Sequence, residues 1–215
     1  LSHHAVFADE HSGGGDWCET FALAGSQLAV SVGDVCGHDA AAARLMVDIR
    51  CDIRSEARAA RDPAAVLRAV NERFCRRSTS SFATSIFGII DIQRQTFSFA
   101  SAGHPAPLLV ESDRSRFLQS EHCDIPIGVQ PSLEIATHHV ALRPDTLLVF
   151  YTDGVVELER DAATGEQRLR KAARLAYQAP GIAAADAIAR HLQLWRRMDD
   201  DAAILTIRTA RDRMR

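Results

Sequence analysis

The sequence predicts an α+β fold from three observations. Apolar residues recur at three- and four-residue spacing in four segments, two in the first half of the chain and two near its end, which is typical of amphipathic helices. Apolar and polar residues alternate in about nine or ten other short runs, which is typical of strands. The strands follow one another in series instead of alternating with helices, and this order disfavours a doubly wound parallel sheet. We therefore expect a sandwich of sheets covered by helices.

The first half of the chain is predicted to begin with three strands and continue with two helices. Alternation places the strands at 5–8, 17–23 and 28–32. A helix is expected at about 40–60, where apolar residues recur at helical spacing within an alanine-rich run. Asp62 and Pro63 predict the start of the second helix, because aspartate is a good N-cap and proline is tolerated at the first helical position.

The second half is predicted to contain most of the strands. The apolar period changes to two from position 82, and strands are expected at 84–91, 96–101, 107–110, 116–119, 134–142 and 146–151. Glycine and proline supply turns between several of them. Two helices at about 167–178 and 183–197 precede a last strand at 203–209.

Composition narrows the class of protein. The chain has 215 residues, 47% hydrophobic and 25% charged, which fits one globular domain or at most two small ones. A net charge of −3 disfavours a nucleic-acid-binding protein, which would usually be basic. The chain lacks an apolar run of roughly 18 to 20 residues, so no membrane span is expected.

The cysteines and the first residue bear on compartment and on chain length. The five cysteines show no metal-binding spacing, and free or buried thiols in a reducing cytoplasm are expected. The first residue is leucine and not methionine, so we expect a domain of a longer protein.

Four short acidic segments carry the functional signal. They are Gly14-Gly15-Asp16, Gly33-Asp34, Thr152-Asp153-Gly154 and Asp199-Asp200-Asp201, and each lies where an apolar run meets a turn. Carboxylates brought together repel one another unless a cation compensates their charge, and Mg²⁺ and Mn²⁺ prefer oxygen ligands. If the strands beside Asp34, Asp153 and Asp200 are neighbours, their carboxylates converge at one sheet edge. Together with the Val35 carbonyl they could hold two metal ions that activate a water.

Each of these segments also has a simpler interpretation. A lone Gly-Asp pair after a strand is usually a turn, and three consecutive aspartates usually form a solvated loop. The glycines before Asp16 are compatible with a flexible loop, and His104 is expected to be a turn histidine with local hydrogen bonds and not a metal ligand. Only the order and spacing of all the segments together favour a metal-centred hydrolytic site.

Seven ordered motifs resemble a known family. They are Gly14-Gly15-Asp16, Gly33-Asp34-Val35-Cys36-Gly37-His38, Phe82-Ala83-Thr84, Ala102-Gly103-His104-Pro105, Pro126-Ile127-Gly128-Val129, Tyr151-Thr152-Asp153-Gly154-Val155-Val156-Glu157 and Asp200-Asp201-Ala202-Ala203-Ile204. In this order they are similar to the SpoIIE/RsbU branch of the metal-dependent protein phosphatases, which are relatives of protein phosphatase 2C. The resemblance covers residues 13–208.

The resemblance implies a fold and a set of site residues. The fold is a four-layer αββα sandwich, two mostly antiparallel sheets flanked by helix pairs, in a single domain over 1–215. Asp34 matches the aspartate that bridges two Mn²⁺ or Mg²⁺ ions, with the Val35 carbonyl as a further ligand. Asp153 and Asp200 match the other carboxylate ligands, with Asp201 as second choice for the latter. Asp16 matches an acidic residue near the second metal that often acts through water.

The resemblance also implies a reaction and a partner. The family hydrolyses phosphoserine or phosphothreonine on regulatory proteins, typically anti-anti-sigma factors with a STAS domain, in partner-switching control of sigma factors. No covalent phosphoenzyme is expected. The alternatives are a catalytically weak binding module of the same fold and another metal hydrolase such as a nuclease; the lack of a basic surface disfavours the latter.

Two positions depart from the family pattern, and neither removes an expected ligand. Asp39 stands where the family has glycine and is expected to be a helix N-cap. Ala203 stands where the family has threonine.

Regulation is a separate hypothesis. An upstream sensor domain or a partner is expected to shift the helix at 40–60 and so displace Asp34 and Val35. The alternative is that both helices of the first half only cover the sheet.

Overall fold

A computed structural model of the chain describes residues 1–8, 14–37, 39–77, 81–118, 125–157, 161–179, 183–194 and 201–210. Its strands are β1 (Ser2–Ala8), β2 (Trp17–Ala22), β3 (Gln27–Val35), β4 (Ala83–Asp91), β5 (Thr96–Ala102), β6 (Leu108–Val110), β7 (Ser115–Phe117), β8 (His138–Ala141), β9 (Leu147–Tyr151) and β10 (Ala202–Arg208). Its α-helices are α1 (Ala40–Ala59), α2 (Pro63–Arg76), α3 (Ala162–Gln178) and α4 (Ala184–Leu192).

The chain divides into two compact units. The central unit comprises Ser12–His104 and Ser120–Ala141, and the terminal unit comprises Leu1–His11, Pro105–Gln119 and Leu142–Arg215. Each unit contains one antiparallel sheet of five strands and two helices. The predicted α+β class, with two mostly antiparallel sheets and a pair of helices for each, is confirmed.

The sheet of the central unit has the order β2-β3-β4-β5-β8. One face packs against α1 and α2, where Ile49, Ile53, Leu67 and Phe74 share a buried apolar cluster with Phe87 of β4. Burying side chains of this size contributes roughly 1.5 to 3 kcal/mol each. This unit contains the expected ligands Asp16, Asp34 and Val35, so its packing positions them.

Both helices of the central unit begin at the predicted aspartates. The Asp39 carboxylate accepts hydrogen bonds from the backbone N–H groups of Ala41 and Ala42 at 3.0 and 2.9 Å. The Asp62 carboxylate accepts one from the N–H of Ala65 at 3.1 Å. These bonds satisfy donors that a helix N-terminus otherwise leaves without a partner.

Ion pairs fasten α1 to β2. The buried carboxylate of Glu19 accepts hydrogen bonds from Arg50 at 2.9 Å and from Arg54 at 2.8 Å. The hydrogen bond with Glu19 raises the pKa of Arg54 above its usual range. The two arginines of α1 therefore supply positive charge that compensates the Glu19 carboxylate, which is removed from water.

A buried amide joins α2 to the segment that follows residue 127. The Asn71 side chain donates to the carbonyls of Gln130 and Pro131 at 2.9 and 3.1 Å, and it accepts from the Gly128 N–H at 2.9 Å. Ile127 in turn exchanges two backbone hydrogen bonds with Ala83, at 2.8 and 3.0 Å. The segment is thus held from both sides, by a helix and by the start of β4.

The sheet of the terminal unit has the order β1-β10-β9-β6-β7. Its core brings Val149 and Tyr151 of β9 and Ile204 of β10 together with Leu169 of α3 and Ile188 of α4. Burial, and less strongly the charge of Glu166, raises the pKa of the Tyr151 hydroxyl well above its usual range. This tyrosine is therefore a neutral core residue.

The end of β3 differs from its prediction. The strand was expected to end at 32 with Gly33 as a turn residue, but it continues through Asp34 and Val35, which pair with Thr84 and Ala83 of β4. Gly33 lies inside the strand, and the residue there is glycine because a β-carbon would overlap the indole ring of Trp17. The turn interpretation of Gly33-Asp34 is therefore wrong.

Other boundaries shift less. Helix α3 begins at Ala162 and not at about 167, because Asp161 caps it through the N–H groups of Ala163 and Thr164. The strand expected at 134–142 is confined to 138–141. The part of the fourth predicted helix that covers 195–197 lies outside the described residues.

Four cysteines are described, and all are free thiols; Cys123 lies outside the described residues. Burial raises the pKa of the Cys18 thiol well above its usual range, and the negative charge of Asp16 adds to this effect. Because the thiolate is the nucleophilic form, this shift makes Cys18 a poor nucleophile. Among the described residues, no helix combines the length and the hydropathy needed to cross a membrane.

Candidate active site

The expected ligands of the central unit lie at one end of the β2–β3 pair. Trp17, the first residue of β2, is paired with Gly33, so Asp16 comes at the same end as Asp34. The N–H of Val35 donates to the carbonyl of Gly15 at 3.2 Å, which ties the glycine segment to the end of β3. Asp16 and Asp34 are both half-buried.

Oxygen atoms crowd the space beside Gly15. A β-carbon on this buried glycine would overlap the carbonyl oxygen of Val35 and would lie 2.7 Å from Oδ1 of Asp34. One carbonyl and one carboxylate oxygen therefore approach the same point, and only glycine leaves this point free. Oxygen donors of this kind fit a hard divalent cation such as Mg²⁺ or Mn²⁺.

Thr84 pairs with Asp34 across the sheet and contacts a buried imidazole. Thr84 is the residue directly opposite Asp34 on β4, and its Oγ1 is 2.9 Å from Nδ1 of His104. His104 is buried, and its backbone N–H donates to the Ser101 hydroxyl at 3.2 Å. His104 is thus locally hydrogen-bonded, as expected. Sequence reasoning assigned no role to Thr84, since only the strand register places it beside Asp34.

The expected ligands of the terminal unit lie where β9 ends and β10 begins. Thr152 follows β9; its N–H donates to the Ala203 carbonyl at 3.1 Å, and its hydroxyl accepts from the Ala203 N–H at 2.9 Å. Asp153 then opens a single 3₁₀ turn, and its Oδ1 accepts from the Gly154 N–H at 3.0 Å. A β-carbon on Gly154 would overlap the Asp201 carbonyl oxygen. Asp153 and Asp201 therefore come from the same end of two paired strands.

The expectation of three neighbouring strands holds only in part. β9 and β10 are neighbours in one sheet, whereas β3, which carries Asp34, belongs to the other. Asp200 lies outside the described residues. Among the residues that are described, no group of three or more His, Cys, Asp and Glu side chains could hold a metal ion together. The five-residue ligand set stays a prediction.

A family model covers most of the chain. The model described as Stage II sporulation protein E (SpoIIE) matches residues 24–210. This range includes every expected ligand except Asp16.

Two relatives are much longer than this chain. Protein IcfG of Synechocystis sp. is 24% identical over an aligned length of 196 residues, and the alignment covers 77% of this chain and 31% of the relative. The phosphoserine phosphatase RsbP of Bacillus subtilis is 34% identical over 76 residues, which cover 35% of this chain and 19% of the relative. The chain therefore spans less than a third of the length of either protein.

Solved structures share the fold over nearly the whole chain. The RsbU and RsbW domains of Rv1364c from Mycobacterium tuberculosis match 97% of this chain and 62% of that one, with a TM-score of 0.80 and 28% identity. The PP2C phosphatase domain of SpoIIE from Bacillus subtilis matches 96% and 62%, with a TM-score of 0.79 and 18% identity.

RsbX, crystallised in complex with magnesium, matches 96% of this chain and 94% of its own, with a TM-score of 0.70 and 18% identity. The fold and the family model agree. The chain belongs to the SpoIIE family, and it shares the fold of the PP2C phosphatase domain of SpoIIE.

Proposed function

We propose that the protein removes phosphate from phosphoserine and phosphothreonine with the help of two divalent cations, Mn²⁺ or Mg²⁺. In this proposal residues 1–215 function as a single phosphatase domain. The ligand oxygens come from the carboxylates of Asp16, Asp34, Asp153 and Asp200 and from the carbonyl of Val35.

The observation that carries this proposal is the pair of oxygens beside Gly15. The Asp34 carboxylate and the Val35 carbonyl approach one point that a β-carbon would fill. Negative and partially negative oxygens gathered in this way are stabilised by a cation. All the proposed donors are oxygens, which suits Mg²⁺ or Mn²⁺ better than a thiolate-preferring metal. The magnesium in the related RsbX structure supports the same choice.

The chain's own residues hold the donors in place. The Val35 carbonyl is fixed because Val35 pairs with Ala83 and its N–H is bound by Gly15. The Asp153 carboxylate is oriented by the Gly154 N–H. When bound, divalent cations supply a water of lowered pKa and compensate the charge of the phosphoryl group. The raised pKa of the buried Cys18 thiol is consistent with hydrolysis that needs no cysteine nucleophile.

We propose a phosphorylated STAS-domain protein of the anti-anti-sigma type as the substrate. Two similarities support a place in partner switching. One is to RsbP, a phosphoserine phosphatase, and the other is to the RsbU domain of a protein that also contains an RsbW domain.

Control and compartment are also proposed. Because the relatives are much longer, an upstream sensor domain is the proposed source of control. The free thiols of the described residues suit a cytoplasmic enzyme.

Metal-dependent phosphate release tests the proposed function. With added Mn²⁺, the protein should release phosphate from an aryl phosphate and from a phosphorylated STAS-domain protein, and a chelator should abolish both activities. Binding of the STAS-domain protein without release would favour the alternative, a catalytically weak binding module. Cleavage of DNA but not of phosphoprotein would favour another metal hydrolase.

The same assay assigns the ligand among the consecutive aspartates. Asp200→Asn should lower the rate about 100-fold or more, because it removes a charged ligand whose contribution is several kcal/mol. Asp201→Asn should lower it less than about 10-fold, because the contact of Asp201 with the Gly154 position is made by its backbone carbonyl. The reverse order would assign Asp201 as the ligand.

A further inference from the structure

We propose that Thr84 and His104 are positioning residues for the Asp34 carboxylate, and that metal affinity depends on the hydrogen bond between them. The proposal rests on the proposed function, since it takes Asp34 to be a metal ligand. It assigns a purpose to a partly buried hydroxyl–imidazole pair that the hydrolytic reaction itself does not use.

The strand register places Thr84 beside Asp34. The two residues are directly opposite each other on antiparallel strands, so their side chains project from the same face of the sheet. Side chains in such pairs have β-carbons about 4.5 to 5.5 Å apart, which is contact distance. Both side chains are half-buried, and their strand neighbours Val35 and Ala83 face the opposite way into the cluster with α1 and α2.

The hydrogen bond to His104 fixes the Thr84 side chain. The distance from Thr84 Oγ1 to His104 Nδ1 is 2.9 Å. Threonine is branched at its β-carbon, so fixing the hydroxyl also fixes the methyl group. In this proposal, Asp34 has beside it on the same face a threonine side chain with one orientation. This restricts the rotamers of the carboxylate and lowers the entropy that metal binding would otherwise cost.

His104 is itself held firmly. Its backbone N–H donates to the Ser101 hydroxyl, which donates to the His104 backbone carbonyl, both at 3.2 Å. The preceding Gly103 has a φ of +71° and forms a bridge with Ser85, the residue next to Thr84. A β-carbon on Gly103 would lie 2.7 Å from Pro126. A left-handed backbone packed this closely requires glycine, and it fixes the backbone position from which the imidazole of His104 projects.

Direct Mn²⁺ binding tests the proposal. Thr84→Val keeps the size of the side chain and removes the hydroxyl, and it should weaken Mn²⁺ binding about 10-fold, the scale seen when residues that orient metal ligands are changed. Thr84→Ser keeps the hydroxyl and should stay within about threefold of the wild type on that same scale. The readouts are the free Mn²⁺ signal in electron paramagnetic resonance and the Mn²⁺ concentration that gives half-maximal phosphate release.

A second hydroxyl–imidazole pair provides the matched control. Ser98 Oγ lies 2.9 Å from Nδ1 of His139 on β5 and β8, in the same sheet and exposed. Ser98→Ala should leave Mn²⁺ binding unchanged. In the Thr84→Val background, His104→Asn should add no further loss of Mn²⁺ affinity, because the shared hydrogen bond is already absent.

The outcomes separate this proposal from the proposed function. If the wild type binds Mn²⁺, Asp34→Asn abolishes binding and Thr84→Val binds like the wild type, the positioning role is overturned and the metal site stands. If the wild type binds no Mn²⁺, the proposed function fails first. Thermal unfolding without metal shows whether Thr84→Val remains folded; loss of affinity in Thr84→Ser as large as in Thr84→Val would also contradict the proposal.

Discussion

Replacing Asp34 with asparagine is expected to reduce metal-dependent phosphate release by about 1,000-fold or more, or about 4 kcal/mol of activation free energy. Asparagine has nearly the same shape but no charge, so it no longer compensates two cations. Asp34 lies within β3 and not in a flexible turn, and its backbone pairs with Thr84. The backbone pairing does not depend on the side chain, and the variant should fold. Steady-state kinetics over a range of Mn²⁺ concentrations measure the effect.

Asp39→Asn is the matched control. It makes the same chemical change five positions away, at the residue that caps α1. Asparagine caps helices about as well as aspartate, so activity and stability should change little. Equal losses of activity in both variants would mean that the negative charge of this region matters in general and that Asp34 has no special role.

Replacing Gly15 with alanine is expected to lower activity about 100-fold and to weaken Mn²⁺ binding. The added methyl group would overlap the Val35 carbonyl oxygen and press on Oδ1 of Asp34, 2.7 Å away. The carbonyl belongs to the backbone of a paired strand and cannot rotate aside, so either the end of β3 or the segment that carries Gly15 and Asp16 must move. Displacements of about 1 Å near a reacting centre can cost 100-fold in rate. Kinetics with a Mn²⁺ titration measure both effects.

Gly25→Asn separates this local effect from the general cost of losing a glycine. Gly25 lies in the turn between β2 and β3 with a φ of +82°, and a β-carbon there has no neighbour within 4 Å. Asparagine tolerates the left-handed region, so the variant should keep wild-type activity with at most a small loss of stability. A Gly15→Ala enzyme as active as Gly25→Asn would show that the oxygens beside Gly15 are not ligands.

Local chemistry made part of this fold predictable from sequence. The helix starts at Asp39 and Asp62 were predicted because the capping side chain lies within three residues of the N–H groups that it binds. The end of β3 was not predicted correctly. Glycine is needed at position 33 because a β-carbon would overlap the indole of Trp17, a residue on another strand. A glycine that relieves a long-range clash cannot be distinguished, from sequence alone, from a glycine in a turn.

The candidate site was also predictable where local sequence decides it, and not where the pairing of distant strands decides it. The acidic residues at strand ends were found from their glycine neighbours. Thr84 was noted only as part of the motif Phe82-Ala83-Thr84 and was given no role, because its place opposite Asp34 depends on the pairing of β3 with β4. Helices α1 and α2 separate these strands in the chain, and a register shift of one residue would move Thr84 to the other face. The choice between Asp200 and Asp201 stays open for the same reason, because it is also a question of one residue of register.

The ion pairs of Glu19 have a consequence for how copies of the protein meet in solution. Strand β2 lies at the edge of its sheet, a position where backbone groups can recruit a strand from another molecule. A charged side chain directed inward from such a strand discourages this addition, since an incoming strand would disturb a carboxylate that needs its two arginines. The ion pairs that join α1 to β2 are therefore also expected to discourage aggregation through strand addition at β2.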